Sequence, residues 1–134
     1  MALITWTKDQ HGVGVDFADD QHKVLFDLLN TLHESSAQGD RKKIGDDLDA
    51  LIDYVVDHFK NEEVEMKERG YENYESHKAL HDDLIEKCAA VQTKFHSGED
   101  IALQETTQLI KDWLDGHIPT HDRAYVPCLT GATA

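Results

Sequence analysis

Cysteine is scarce in this chain, with only Cys88 and Cys128 among 134 residues. They are not spaced as a metal-binding or redox pair, so neither is expected to hold a metal or to do redox chemistry. A lone intracellular cysteine usually behaves as a small buried apolar residue. The chain is long enough to bury a stable apolar core without disulfide bonds or a structural metal. We expect a single domain over residues 1–134.

Basic residues and long apolar stretches are also lacking. The chain has 13 Lys and Arg against 27 Asp and Glu, a net charge of -14, which works against binding to nucleic acid or to anionic membrane surfaces. No apolar stretch is long enough to cross a bilayer, and "MALITWTKDQ" lacks the basic and apolar regions of a signal peptide. We therefore expect a cytoplasmic protein that does not insert into membranes.

Apolar residues recur at the spacing of amphipathic helices in four segments, at about 19–38, 40–70, 75–97 and 100–122. The apolar residues counted on these helices include Val24, Val56, Val64 and Leu109. Short connections and little strand signal predict an all-α fold, an up-down-up-down antiparallel four-helix bundle.

The ends of these segments carry recognisable signals. Asp19 or Asp20 is expected to cap the first helix, and Gly39 and Gly70 to mark the ends of the first two. Residues 1–18 show no sustained helical period and are predicted to form an irregular N-terminal arm. The short C-terminal tail "VPCLTGATA" is expected to be loosely held.

Histidine is in surplus, with nine residues that packing alone does not require. His58 and Glu62 are four residues apart, as are His77 and His81, and this spacing places both side chains on one helix face, roughly 6 Å apart along the axis. In the predicted bundle these pairs lie at the same end as His22, near the start of the first helix, and His117, near the end of the fourth.

This convergence of imidazoles and carboxylates among apolar positions predicts a buried metal site, because burying such groups is costly without a metal or hydrogen bonds. His11, His33 and His96 fall outside the pattern and are expected at the surface or its boundary, with His33 partly buried.

Within the stretch "GHIPTHD", either His121 or Asp122 could be the metal ligand that joins His117. On an ideal helix His121 is only about 40° around from His117, whereas Asp122 is about 140° around, so geometry favours His121. Chemistry favours Asp122, because a carboxylate offsets the charge of a metal and is able to bridge to a second one, whereas a neutral imidazole does neither. Pro119 has no amide hydrogen and crowds the carbonyl of Asp115, which would open the helix and turn Asp122 inward. We expect Asp122.

The segments "DQHKVLF", "HFKNEEVEM", "HKALH" and "WLDGHIPTHD" together resemble the hemerythrin family, and specifically its single-domain bacterial members. The resemblance spans nearly the whole chain. It implies two non-haem iron ions with an oxo or hydroxo bridge, held by His22, His58, Glu62, His77, His81, His117 and Asp122. In the family's arrangement Glu62 and Asp122 bridge the irons.

The same resemblance implies reversible dioxygen binding at the iron that has only two histidines and therefore an open position. Such a protein would transport, store or deliver oxygen, as a monomer and not an enzyme, to an oxygen-consuming recipient protein. An apolar pocket is expected around the open position from residues next to the ligands: Leu25, Phe59, Trp113, Leu114 and Ile118. Tyr125 is a further candidate neighbour.

The alternatives are a di-iron redox enzyme acting on peroxide, nitric oxide or ferrous iron, and an oxygen or redox sensor. The histidine-rich ligands argue weakly against the enzyme, because the Glu-x-x-His pairs of ferritin-like oxidases are absent. Sensors usually carry an attached signalling domain, for which this chain has no room.

Overall fold

The computed structural model describes residues 3–99, 101 and 103–130, and every regular element in these ranges is helical. The four-helix bundle predicted from the sequence is confirmed. Its four long helices are α2 (Asp16–Gln38), α3 (Arg41–Glu68), α4 (Tyr74–His96) and α5 (Leu103–His117), and it is completed by α1 (Lys8–His11), a π-helix (Ile118–Asp122) and α6 (Arg123–Thr130). The start of the fourth helix predicted at Asp100 lies outside the described residues.

A tight connection makes α2 and α3 antiparallel. Gly39 ends α2 with a φ of 81°, a left-handed conformation that glycine adopts without a Cβ clash, and Asp40 then caps α3 by accepting a hydrogen bond from the amide of Lys43. Helix α3 packs against α2 and α4, and α5 packs against α2. The start of α2, the later part of α3, the start of α4 and the end of α5 therefore lie at one end of the bundle.

The core consists of large apolar side chains from all four long helices, among them Leu29, Leu51, Leu84 and Ile110, each at most 1% exposed. The periodicity overstated the apolar faces. Four residues that we counted on them are exposed by 39–47%: Val24, Val56, Val64 and Leu109. Among the described residues, no helix is long and apolar enough to span a membrane.

The N-terminal arm is more ordered than predicted. It contains α1, and α2 begins at Asp16, three or four residues before the cap predicted at Asp19 or Asp20. The carboxylate of Asp19 instead accepts hydrogen bonds from the amides of Val13 and Gly14, which holds the loop that precedes α2. Asn30 fastens the beginning of the arm by bonding to both the amide and the carbonyl of Ile4.

His11 is 1% exposed, so the prediction that it lies at the surface or its boundary was wrong. Its Nδ1 accepts from the amide of Thr7 at 3.2 Å, which leaves the hydrogen on Nε2 to be donated to Asp115 Oδ1 at 3.0 Å. Asp115 also accepts from Lys111 Nζ at 2.8 Å. Burial raises the pKa of Asp115, but the hydrogen bonds from His11 and Lys111 outweigh it, and the net pKa is lowered. The arm is thus tied to α5.

Asp115→Asn is therefore expected to destabilise the protein at pH 7 and to matter less in acid. A carboxyl whose folded pKa is lowered contributes stability above its unfolded pKa, about 3.9, and loses that contribution as the pH falls through the folded pKa. Urea unfolding of variant and wild type from pH 7 to pH 3 measures the difference, and Asp112→Asn is the control, since Asp112 is exposed on the same helix. If the difference in unfolding free energy between variant and wild type were the same at pH 7 and pH 3, the stabilising role of the Asp115 charge would be contradicted.

The C-terminal tail was predicted to be loosely held, and this was wrong for its described part. Residues Arg123–Thr130 form α6, and Tyr125 on this helix is fully buried. Before α6, residues Ile118–Asp122 form a π-helix that includes Pro119. A π-helix bonds each amide to the carbonyl five residues back, so it holds one residue more per turn than its α-helical neighbours. This turn determines whether His121 or Asp122 lies beside His117 in the interior.

Candidate metal centre

Seven side chains meet at the bundle end described above, and all are buried. They come from α2, α3, α4, α5 and the π-helix: His22, His58, Glu62, His77, His81, His117 and Asp122. These side chains form two groups, in each of which the possible ligand atoms lie within 4.8 Å of one another, and both groups contain Glu62 and Asp122. We call His77, His81 and His117 the three-histidine set, and His22 and His58 the two-histidine set. The structure brings together every residue that the sequence indicated for the site.

Glu62 lies between the two sets. Its Oε1 is 3.3 Å from Nε2 of His81, in the three-histidine set. Its Oε2 is 3.5 Å from Nε2 of His22 and 3.4 Å from Nε2 of His58, in the two-histidine set. One oxygen of this carboxylate therefore faces each set.

Asp122 repeats this arrangement from the other side of the bundle. Its Oδ1 is 3.1 Å from Nε2 of His77 and 3.0 Å from Nε2 of His117. Its Oδ2 is 3.1 Å from Nε2 of His22. Two carboxylates that each direct one oxygen to each histidine set have the geometry needed to bridge two metal ions.

The π-helix explains why Asp122, and not His121, takes this position. On a regular helix Asp122 would point about 140° away from His117. The wider turn that contains Pro119 brings Asp122 to 1% exposure and leaves His121 exposed, with its ring centroid 5.2 Å from that of His117.

Several polar atoms at the centre have no hydrogen-bond partner within the described part of the chain. They are His22 Nδ1 and Nε2, Glu62 Oε1, His81 Nε2 and Asp122 Oδ1, although Asp122 Oδ1 lies 3.0 Å from Nε2 of His117. The Nε2 atoms of His77 and His117 face each other at 3.1 Å. Buried polar groups left in this state are costly, whereas metal ions would satisfy them. The donors therefore fit a pair of metal ions that prefer nitrogen and oxygen ligands.

Electrostatics keep the centre ready to accept cations. Burial raises the pKa of Glu62, but the charge of His58 and the close approach of the other histidines hold that pKa well below its usual range. The pKa of Asp122 is lowered in the same way, against the effects of burial and of Glu62. Burial lowers the pKa of His22, but Asp122 and Glu62 raise it to about 10. Metal binding would therefore displace a proton from His22.

Two contacts behind the histidines orient the rings. Nδ1 of His81 lies 2.9 Å from Glu63 Oε2, and Nδ1 of His58 lies 2.7 Å from Gln21 Oε1. Both partners are acceptors, so both Nδ1 atoms carry the hydrogen and both Nε2 atoms are free to face the centre. Glu63 and Gln21 were not predicted from the sequence. Their only sequence signal is that each is adjacent to a candidate ligand, Glu62 or His22.

Aromatic rings cover the three-histidine set. Phe59 stacks on His81 with centroids 3.8 Å apart and a 4° angle between the planes, and Trp113 stacks on His117 at 4.0 Å and 17°. Trp113 is partly buried. The other candidate pocket residues lie in the core, at most 2% exposed: Leu25, Leu114 and Ile118.

Tyr125 also reaches the centre. Its hydroxyl donates a 2.6 Å hydrogen bond to Glu62 Oε2, and burial and the two carboxylates raise its pKa well above the usual value, so the phenol keeps its proton. α6 thus supplies the hydrogen bond that fixes one carboxylate between the two sets.

Tyr125→Phe is expected to lower the free energy of unfolding of the metal-free protein by about 1.5–3 kcal/mol, because a buried charged acceptor loses its donor while the ring is kept. Urea denaturation measures the loss. Tyr54→Phe, which changes a partly buried phenol away from the centre, is the matched control. Equal losses in the two variants would show that the bond to Glu62 contributes nothing particular.

Comparison with known proteins agrees with this geometry. The family model described as hemerythrin HHE cation binding domain matches residues 13–129 of this chain. The chain belongs to the hemerythrin family. The resemblance seen in the sequence is thus confirmed.

Proteins described as hemerythrins or bacteriohemerythrins align with most of this chain. A bacteriohemerythrin from Methylococcus capsulatus is 55% identical over 130 residues, covering 97% of this chain and 99% of that protein. A bacteriohemerythrin from Stenotrophomonas maltophilia is 36% identical, covering 93% of this chain and 80% of that protein. The solved structure of a wild-type hemerythrin has 54% identity and a TM-score of 0.94, covering 96% of this chain and 99% of that chain.

Proposed function

We propose that this hemerythrin-family chain binds dioxygen reversibly at a non-haem di-iron centre, for oxygen transport, storage or delivery. The observation that carries the proposal is the pair of carboxylates, Glu62 and Asp122, each with one oxygen toward the three-histidine set and one toward the two-histidine set. Membership of the family and the unpartnered buried atoms support the same conclusion.

The seven side chains would divide as the two sets do. His77, His81 and His117 would hold one iron, His22 and His58 the other, and Glu62 and Asp122 would bridge them together with an oxo or hydroxo group. When bound, the iron pair supplies the electrons for reversible dioxygen binding. The set with two histidines contributes one ligand fewer, so the open position for dioxygen is proposed there.

The remaining residues hold these ligands and keep the site dry. Tyr125 fixes Glu62 through its hydrogen bond, and Phe59 and Trp113 hold two imidazole rings in place. We propose that Leu25, Leu114 and Ile118 complete an apolar pocket that limits access of water to bound oxygen. Excluding water in this way favours binding and release over onward chemistry, which fits a binding protein and not an enzyme.

The proposal also covers the setting in which the protein acts. We propose a single-domain monomer in the cytoplasm that passes oxygen to an oxygen-consuming protein. The net charge of -14 supports the view that neither nucleic acid nor an anionic membrane surface is its partner.

The test is iron content per chain, combined with visible absorption spectra of the anaerobically reduced protein while oxygen is admitted and then removed. Two irons and a charge-transfer band that appears and disappears over repeated cycles are expected. Two irons with rapid, irreversible oxidation on first exposure would overturn the oxygen carrier in favour of a redox enzyme or sensor, to be followed by assays of peroxide and ferrous-iron turnover.

A further inference from the structure

The histidines on the two sides of the centre have chemically different supporting partners. His81, in the three-histidine set, is 2.9 Å from a carboxylate oxygen of Glu63. His58, in the two-histidine set, is 2.7 Å from the amide oxygen of Gln21. Both contacts run from Nδ1–H to an oxygen acceptor, and the two acceptors differ in charge.

This difference acts in a region where charge is poorly screened. The side chain of His81 is fully buried and that of Glu63 is only 16% exposed, while Gln21 is partly buried. A hydrogen bond from an imidazole to a carboxylate is stronger than one to a neutral amide, and it increases the electron density that the ring offers through Nε2. His81 is therefore the stronger donor of the two imidazoles.

We propose that Glu63 and Gln21 make the two halves of the centre unequal, so that the three-histidine set stabilises ferric iron more than the two-histidine set does. The inference rests on the proposed di-iron centre. Glu63 and Gln21 touch no metal in this scheme and act through His81 and His58 as positioning residues. Their charge difference adds to the difference in histidine number and has the same direction, since both favour the more oxidised ion beside His77, His81 and His117.

The direct test is the midpoint reduction potential of iron-loaded Glu63→Gln against that of the wild type. Partners behind metal-bound histidines typically change metal affinity 10- to 100-fold. We expect Glu63→Gln to weaken the preference for ferric over ferrous iron by about tenfold, a rise in potential of about 59 mV for one electron. Co²⁺ titration of the metal-free protein gives a second readout, in which one of two sites weakens by a similar factor.

Glu65→Gln is the matched control. It removes the same charge two residues further along α3, where Glu65 lies 3.9 Å from Arg69 and its side chain is 39% exposed. We expect no change in potential from this variant. Equal shifts in Glu63→Gln and Glu65→Gln would overturn the proposal, because they would assign the effect to net charge and not to the bond with His81. No shift in either variant would also overturn it.

Gln21→Glu is the reciprocal variant and guards against a loss of folding in Glu63→Gln. It places a carboxylate behind His58, and we expect a lower potential and tighter Co²⁺ binding at one site, whereas an unchanged or higher potential would contradict the inference. Wild-type protein with two irons but without a reversible oxygen band would overturn the proposed function alone, because the potentials still report on Glu63 and Gln21.

Discussion

Asp122→Asn is expected to leave the chain with fewer than two bound irons and without the oxygen-dependent absorption band. Three imidazole nitrogens, from His22, His77 and His117, lie within 3.1 Å of this carboxylate, so it is the contact that α2, α4 and α5 share. Asparagine keeps the shape but removes the charge and presents an NH₂ group to one set. Because partners behind the ligands alone change metal affinity 10- to 100-fold, losing a carboxylate that is proposed to bridge the irons should lower iron affinity at least about 100-fold.

Iron per chain after anaerobic reconstitution measures this loss, and circular dichroism of the metal-free variant checks that the helices are intact. His121→Asn is the control, since His121 is the exposed neighbour of Asp122 and is one helical turn after His117. It is expected to bind two irons with an unchanged spectrum. If His121→Asn lost iron while Asp122→Asn kept it, the choice of ligand within "GHIPTHD" would be wrong.

Phe59→Ala is expected to produce the largest loss of stability among single changes near the centre. The ring is 2% exposed, stacks on His81 and contacts Trp113 at a centroid distance of 5.5 Å. Removing such a side chain typically costs about 3–5 kcal/mol, from lost burial and from the cavity left behind. Since ordinary domains are stable by only about 5–15 kcal/mol, this is a large fraction of the total.

Urea unfolding of the metal-free protein measures the effect without a contribution from metal binding. Val56→Ala, on the same helix and 39% exposed, is the control and should change stability by no more than about 0.5 kcal/mol. In the iron-loaded protein, Phe59→Ala should also shorten the life of the oxygenated form, because the cavity admits water. Similar unfolding free energies for the two variants would show that Phe59 does not brace the site.

The bundle and the histidine pairs were predictable because they depend on periodic signals, whereas Asp122 was chosen against the helical period, on charge and on the family resemblance. The spacing of His58 with Glu62, and of His77 with His81, fixes a helix face, and the antiparallel order then places both pairs at one level. Periodicity does not distinguish a buried apolar residue from an exposed one at the edge of the apolar face. This is why the sequence assigned four exposed residues to the apolar faces: Val24, Val56, Val64 and Leu109.

What the sequence did not reveal depends on contacts between distant segments. α1 has only four residues, too short for a helical period, and His11 is buried among distant segments, where Asp115, 104 residues later, accepts its hydrogen bond. Glu63 was hidden for a similar reason, since its partner His81 lies on the next helix. Tyr125 was a candidate from its nearness in sequence, but its bond to Glu62 depends on α6, which was not predicted.

The π-helix also sets the register of everything that follows it. The π-helix takes up one additional residue without adding rotation about the helix axis. Asp122, five residues after His117, is therefore rotated as far as a residue four positions on would be in an α-helix, and Tyr125, eight residues after His117, as far as a residue seven positions on. At about 100° per residue, both side chains then fall within roughly 40° of the direction of His117, where an uninterrupted helix would place them about 140° and 80° away. One inserted residue thus turns two side chains toward the centre at once. They are Asp122, which faces both histidine sets, and Tyr125, which donates a hydrogen bond to Glu62.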